Sequence, residues 1–589
     1  MLNAAPGKNH AVRQIAKRLP RPGQSPNLSK DGLANMDRRR FLLSLSGVAA
    51  STRFAGGPAL AEGLHTAARG ALALPSADQL AWQDLEMGMF IHFGPNTWQD
   101  VESDNLSTPL SAIDPKRLDT DQWAQGALAL GAKYIVFVAK HQGGFCMWQT
   151  ETTDYSIGHT PWKGGHGDVM ADLAKSCNKY GLKLGVYMCP RDDHFGATTG
   201  GRCKTPELQK QYDAMYRQQL TEVLSRYGEM VEVWFDGSSA TPVTDIIERY
   251  ASHSMIFQGP SATIRWVGNE QGFAPYPAWN SLSSSDAASG VATALYGDPN
   301  GSVWLPNEVD VSIRRPDFFW STKNERNVLT EEEFLEVYYR SVGRGAQLLF
   351  NIPPDRDGLI ADLDYSRAKL FGDEIRRRFG RPIAETSGSA RSLTVNLARP
   401  VRVDTIVLQE DCSKGERVRL YRLEGRKDGE WMALGDGSAI GHKRLQPVPP
   451  TNVDAVRFTA IESVGLPAIR RFALFDTGVA PPAHWDAASQ LWAANSVGVW
   501  RNGVAHINLS SKINSAAQYR LRFVPQSGSV TSIDEPVLLL DGIAHKELIH
   551  SIVGIPDRLI LDITSVGPQV IFESRIDGAD AGTILLQKI

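Results

Sequence analysis

Between about residues 75 and 379, short runs of apolar residues alternate with longer stretches in which apolar positions recur every third or fourth residue. The short runs have the length and the β-branched or aromatic content of strands, and the longer stretches have the period of helices. Strands are expected at 89–93, 134–139, 184–188, 231–235, 255–258, 264–267, 309–313 and 347–352. Helices are expected between most of them, as at 169–180, where Gly181 follows as a C-cap, and at 206–227. Repeated βα units imply a parallel sheet, and eight strands close most simply as a TIM-like (β/α)8 barrel over residues 75–380, an α/β fold. Residues 268–304 break the rhythm with a long Gly-, Pro-, Ser- and Ala-rich excursion; a loop of that length in a compact unit is usually functional or disordered.

After Phe379 the helical period disappears. SLTVNL, VRVDTIVLQ, VRLYRLEG, AVRFTAI and IRRFALF are short strands separated by turns, which predicts a C-terminal β-sandwich over 382–477. A second β-rich domain over 479–589 is expected from AHINL, YRLRFV, PVLLLDG, RLILDI and QVIFES.

The run MVEVWFDG, residues 230–237, organises the candidate chemistry. It reads as a buried strand that delivers the carboxylate of Asp236 to a strand end before Gly237, Ser238 and Ser239 break the pattern. Asp236 then has two readings: cap of the next helix, or a catalytic group, since ligands of parallel α/β proteins gather where strands end. The ends of the other strands favour the second. The first carries His92, the second His141, Gln142 and Trp148, the third Tyr187, the fourth Trp234 with Asp236, and the sixth Arg265 and then Glu270.

Composition narrows the class. The 589 residues suit two to four domains; 62 basic and 65 acidic residues nearly balance. No long basic run interleaves with aromatics after the first 60 positions, so nucleic acid is not an expected partner. Fourteen Trp, 15 Tyr and 21 Phe supply flat apolar faces that suit sugar rings or a barrel core. Five cysteines lie without CxxC spacing, so neither a zinc site nor a disulfide framework is indicated, although a single Cys189–Cys203 bridge stays open. There is no HExxH motif, and neither a metal nor a cofactor is expected. Hydrolysis would then run on carboxylates.

The first 61 residues read as a leader and a Tat-type signal peptide. Arg38, Arg39 and Arg40 precede Phe41 and Leu42, a moderately apolar run follows to Ala50, and Ala59-Leu60-Ala61 has the form of a cleavage site. Met36 stands just before this signal. The expectation is a protein exported to the periplasm or secreted, with no stable membrane insertion because the run is too short to span a bilayer.

Glycoside hydrolysis needs two carboxyls. In its retaining form one attacks the anomeric carbon while the other, about 5 Å away, protonates the leaving oxygen. Asp236 is the natural nucleophile. Glu270 and Glu308 are both candidates for the acid/base, Glu270 because it directly follows the sixth strand end, with Glu308 the alternative or a substrate-binding residue.

Several stretches in fixed order resemble the alpha-L-fucosidases of glycoside hydrolase family 29: GMFIHFGPNT, KYIVFVAKHQGGFCMW, GLKLGVYMCPRDDHFG, VEVWFDG, IRWVGNEQGFAPYPAWN, GSVWLPNEVDVSIRRPDFFW and LLFNIPPDRDGLI. The resemblance spans nearly the whole expected barrel. It implies a retaining exo-glycosidase with Asp236 as nucleophile, and places His92, His141, Tyr187, Trp234 and Arg265 around fucose. The GNExG form at Glu270 and the PxEVDVS segment are similar to the branch acting on alpha-1,3- or alpha-1,4-linked fucose in branched oligosaccharides, where the Glu of GNExG resembles the acid/base. The family's usual KHHDGF is here Lys140-His141-Gln142-Gly143-Gly144-Phe145, and its usual SPWDRH is Cys189 to His194. Gln142 can bond a hydroxyl but carries no charge. A related glycone such as galactose is therefore one alternative; another is a glycan-binding protein on a catalytically retired barrel. The segment 382–477 resembles discoidin-type modules, and the motifs carry no signal for an oligomeric state.

Overall fold

The structure, a computed structural model, describes residues 72–588 except 288–295, 487–495, 511, 514–516, 526–529, 531, 553–554, 564–567 and 579. The expected leader and signal segment lies outside the described residues. No helix among those described is long and apolar enough to cross a membrane.

Eight parallel strands form the barrel: β1 (Met87–Ile91), β2 (Tyr134–Lys140), β3 (Lys183–Met188), β4 (Met230–Trp234), β5 (Met255–Phe257), β6 (Arg265–Trp266), β7 (Asn307–Ser312) and β8 (Gln347–Asn351). They pair in the order β5-β4-β3-β2-β1-β8-β7-β6, and a parallel bridge between Phe257 and Ile264 joins the two edges. Expected strands and observed strands differ by one or two residues at their ends. The helices Val169–Tyr180, closed by Gly181 at φ +68°, and Pro206–Arg226 lie where the apolar period put them.

Successive side chains of a strand point to opposite faces, and the core divides accordingly. Met89, Ile91, Ile135, Phe137, Val186, Val309, Val311, Leu348 and Phe350 face the surrounding helices in one continuous core. Their alternates Phe90, Tyr134, Val136, Val138, Tyr187, Trp234, Phe257 and Leu349 fill the barrel interior. Gly88 makes room for this filling, because a Cβ there would sit 2.5 Å from the Tyr134 ring.

The interior also holds charge-bearing groups. Glu232 of β4 accepts hydrogen bonds from the indole nitrogens of Trp82 and Trp234. Glu308 of β7 is buried beside it. Burial and the neighbouring Glu232 raise the Glu308 carboxyl well above the usual range, so it keeps its proton and donates to Glu232.

The C-terminal segment forms antiparallel sheets. The first has six strands, in the order Ala384–Gly388, Ile469–Phe475, Ser392–Glu410, Arg444–Ser463, Val418–Lys427, Glu430–Gly437. Ile406, Leu408, Phe472 and Leu474 belong to this sheet's own core, whereas their neighbours Val407, Ala473 and Phe475 join the barrel's outer core. The same two-residue period thus fills one core and welds the sheet to the barrel. Lys443 reinforces the junction through a 2.6 Å ion pair with Glu86. Nine further strands between Ser496 and Lys588 make the last antiparallel sheet. Cys189 and Cys203 are both free thiols.

Candidate active site

The polar residues at the C-terminal ends of β1 to β4 converge. His92, one residue past β1, is buried, and its Nδ1 lies 2.7 Å from Asn351 Oδ1 on β8. Asn351 spends both amide hydrogens on the Phe318 carbonyl and Ser312 Oγ, so its Oδ1 must accept. His92 therefore carries its proton on Nδ1 and turns a lone pair at Nε2 toward the cavity. Burial, reinforced by His141, pushes its pKa well down and keeps the ring neutral. Burial likewise lowers His141 to about 3. The His141 ring lies 5.7 Å from the Tyr187 ring in a stacked arrangement, and its buried Nδ1 has no protein partner.

Asp236 comes two residues after β4, past Phe235, which points into the outer core. The chain then turns through Gly237 and Ser238, both at positive φ, and their N–H groups donate to Gln258 Oε1 at 2.8 and 3.2 Å. The next helix, Thr244–Tyr250, is entered through Val243. Asp236 therefore caps no helix. Its Oδ2 instead accepts a 2.9 Å hydrogen bond from the Tyr187 phenol. Trp234 lies flat on Phe257, 3.5 Å between ring centroids, with its nitrogen fixed by Glu232.

These groups line a cavity of about 120 Å³ with Glu102, Trp266, Glu270, Asp310 and Phe318. Burial, then the charge of Asp236, raises the Glu270 carboxyl. Burial and then Glu270 raise Asp310 to about 7, although the Trp266 indole donates to it at 2.5 Å. Glu102 also reaches about 7 through burial, which outweighs the backbone N–H groups of Phe318 and Phe319. A larger hollow of about 510 Å³ opens at the other end of the barrel, among Asp78, Trp82, Lys183, Glu229 and His253. It gathers none of the strand-end groups, and chemistry on this fold sits at the C-terminal face, so the smaller cavity is the candidate site.

Of the residues singled out in the sequence, the structure brings Asp236, Glu270, His92, His141, Tyr187 and Trp234 together. Four lie elsewhere. Gln142 does not line the cavity and is bonded to Ser103 and Arg191. Trp148 is buried outside the barrel, its nitrogen on Glu222. Arg265 points away from the cavity and donates to the Leu305 and Trp279 carbonyls. Glu308 is buried below the cavity beside Glu232. Alternation explains the Arg265 and Glu308 placements: Trp266, next to Arg265, faces inward, and Asp310, two residues past Glu308 on the same face, reaches the cavity one layer higher. Glu102 and Phe318 come from loops after β1 and β7 and carried no local signal. At Gly143, where the family pattern has Asp, a Cβ would lie 2.2 Å from Asp104 Oδ2. Another part of the chain brings a carboxylate to that place.

Carboxyls among indole and imidazole walls suit a hydroxylated ring that must be protonated and attacked in one site, which is the chemistry of a glycoside hydrolase. The model of the family described as Alpha-L-fucosidase matches residues 110–377. Alpha-L-fucosidase 1 of Arabidopsis thaliana is 32% identical over 423 residues, covering 64% of this chain and 81% of the relative. Among solved structures, a glycoside hydrolase 29 family member from an unknown rumen bacterium is 26% identical with a TM-score of 0.64, covering 88% of this chain and all of that one. A Ruminococcus gnavus GH29 fucosidase in complex with fucose is 25% identical with a TM-score of 0.62, covering 70% of this chain and 98% of that one. The chain belongs to the alpha-L-fucosidases of glycoside hydrolase family 29 and has their glycoside hydrolase activity.

Proposed function

We propose that the enzyme is a retaining, exo-acting alpha-L-fucosidase in which Asp236 is the nucleophile and Glu270 the acid/base. The observation that carries this reading is their coupling in one cavity: the charge of Asp236 helps hold the proton on Glu270. A protonated Glu270 gives that proton to the glycosidic oxygen as Asp236 attacks the anomeric carbon, and the sugar becomes bonded to the Asp236 carboxylate. Esterified Asp236 bears no charge, so the Glu270 pKa falls and Glu270 becomes a base for the incoming water. Hydrolysis then frees the sugar and restores both groups.

Neutral His92 and His141 offer ring nitrogens to sugar hydroxyls, the unpartnered Nδ1 of His141 foremost. Trp234 and Trp266 supply flat walls. The fucose complex of the Ruminococcus gnavus relative supports fucose as the glycone. The GNExG form at Glu270 supports fucose linked alpha-1,3 or alpha-1,4 within branched oligosaccharides, and the twin-arginine leader supports an exported enzyme acting on such glycans outside the cytoplasm.

The test uses an aryl fucoside. Asp236→Ala should abolish nearly all release of the aryl group. Glu270→Ala should be rescued by azide with formation of a fucosyl azide, because a small anion replaces the missing acid/base step. NMR should show the alpha anomer first. Full activity in Asp236→Ala, or inversion at the anomeric carbon, would overturn the reading.

A further inference from the structure

The excursion between β6 and β7 is held partly by the barrel and partly by the six-stranded C-terminal sheet. Near the barrel, Gln271 bridges to Val311, and Ala274 bonds Arg340. Beyond that point the anchors change. Glu416, a buried residue just before the strand Val418–Lys427, takes the Asn280 backbone N–H on Oε2 at 2.9 Å and the Asn280 side-chain amide on Oε1 at 2.8 Å. Arg419 donates to the Pro299 carbonyl at 2.5 Å, and its guanidinium lies 4.7 Å from the Trp279 ring.

The same segment returns to the barrel through buried bonds. Arg265 Nη2 donates to the Trp279 carbonyl at 2.5 Å and Nε to the Leu305 carbonyl at 3.1 Å, while Leu305 N–H donates to the Asn280 carbonyl. β6 is only two residues long, so its direction depends on these ties. Its other residue, Trp266, is a wall of the cavity, and Glu270 follows four positions on. Glu416 is therefore tied through Asn280, by its peptide link to Trp279 and its hydrogen bond from Leu305, to Arg265, the residue beside Trp266.

We infer that Glu416 is a positioning residue for catalysis: from the C-terminal sheet it fixes Asn280, and through Arg265 the Trp266 wall and the turn that presents Glu270. The six-stranded sheet is then part of the catalytic machinery. This rests on the assignment of the cavity to the reacting sugar. A displacement of about 1 Å at a reacting group can cost on the order of a hundredfold in rate, which sets the scale of the expected effect.

The test is a double-mutant cycle in the full chain. Glu416→Gln leaves one amide group facing the donors of Asn280, and Asn280→Asp sets two carboxyls against each other. The double variant Asn280→Asp/Glu416→Gln reverses one hydrogen bond and keeps the other, since the amide introduced at position 416 donates to the carboxylate introduced at position 280 and its oxygen still accepts the backbone N–H there. Each single variant should lower kcat/KM about ten- to hundredfold, and the double should recover most of it. The alkaline limb of the pH profile should move down in the single variants and return in the double, a change that loss of stability alone does not produce. Unaffected single variants, or a double as impaired as the two losses combined, would overturn the tie. Full activity in Asp236→Ala would overturn the cavity assignment and the tie with it. Loss there with unaffected Glu416 variants would overturn the tie alone.

Discussion

The Tyr187 phenol donates a 2.9 Å hydrogen bond to Oδ2 of Asp236 across the ends of β3 and β4. The bond fixes which carboxylate oxygen is free and orients it. Hydrogen bonds to charged groups contribute about 1.5–3 kcal/mol, or roughly ten- to hundredfold in rate. Tyr187→Phe should lower kcat/KM on an aryl fucoside by that factor and leave the circular dichroism spectrum unchanged.

Glu270 and Glu308 separate cleanly by position. Glu270 lines the cavity, whereas Glu308 lies beneath it as the proton donor to Glu232. In Glu308→Gln the amide donates to Glu232 in place of the carboxyl, so activity should stay within roughly tenfold of the unaltered enzyme, against the far larger loss expected for Glu270→Ala.

The same pair should show in stability against pH. Both carboxyls bind protons more tightly folded than unfolded, Glu232 to about 7, with burial the first cause for each. Their contribution is complete below the unfolded value of about 4.3 and is lost as pH rises through the folded values. Denaturant melts of the unaltered enzyme should therefore weaken from about pH 5 upward, and those of Glu308→Gln should weaken less, because one of the two raised carboxyls is then removed.

Asp310 holds the Trp266 indole at 2.5 Å while facing Glu270. Asp310→Asn keeps an acceptor for the indole and should preserve KM. Asp310→Leu leaves the indole N–H without it and should raise KM by about tenfold, the equivalent of one lost hydrogen bond of roughly 1.4 kcal/mol. Steady-state kinetics of the two variants on one substrate measure the difference.

Arg314 and Asp364 form a fully buried ion pair with N–O contacts of 2.7 and 2.9 Å, which holds the loop bearing Phe318 against the last barrel helix, Asp362–Phe379. Burial outweighs the pull of Arg314 and raises Asp364 to about 6. Asp364→Ala strands the guanidinium and should destabilise the fold by about 3–5 kcal/mol, read from equilibrium unfolding.

By itself the sequence determined the order and type of the elements. Period two and period 3.6 are local properties of the chain, and strands as apolar as MVEVW or YIVFVAK leave little choice of conformation. It also determined the groups that stand at or just past strand ends, His92, His141, Tyr187, Trp234 and Asp236, because a strand end is visible locally. Tertiary structure decided which face each neighbouring residue presents. Arg265 and Trp266 are equally plausible on paper, and only closure of the barrel turns the indole inward and the guanidinium outward. It also decided what distant loops contribute: Glu102 and Phe318 reach the cavity from excursions whose paths depend on packing, and Glu416 reaches Asn280 across 136 residues. Such contacts have no period and no spacing, since they arise only when separate parts of the chain share one core.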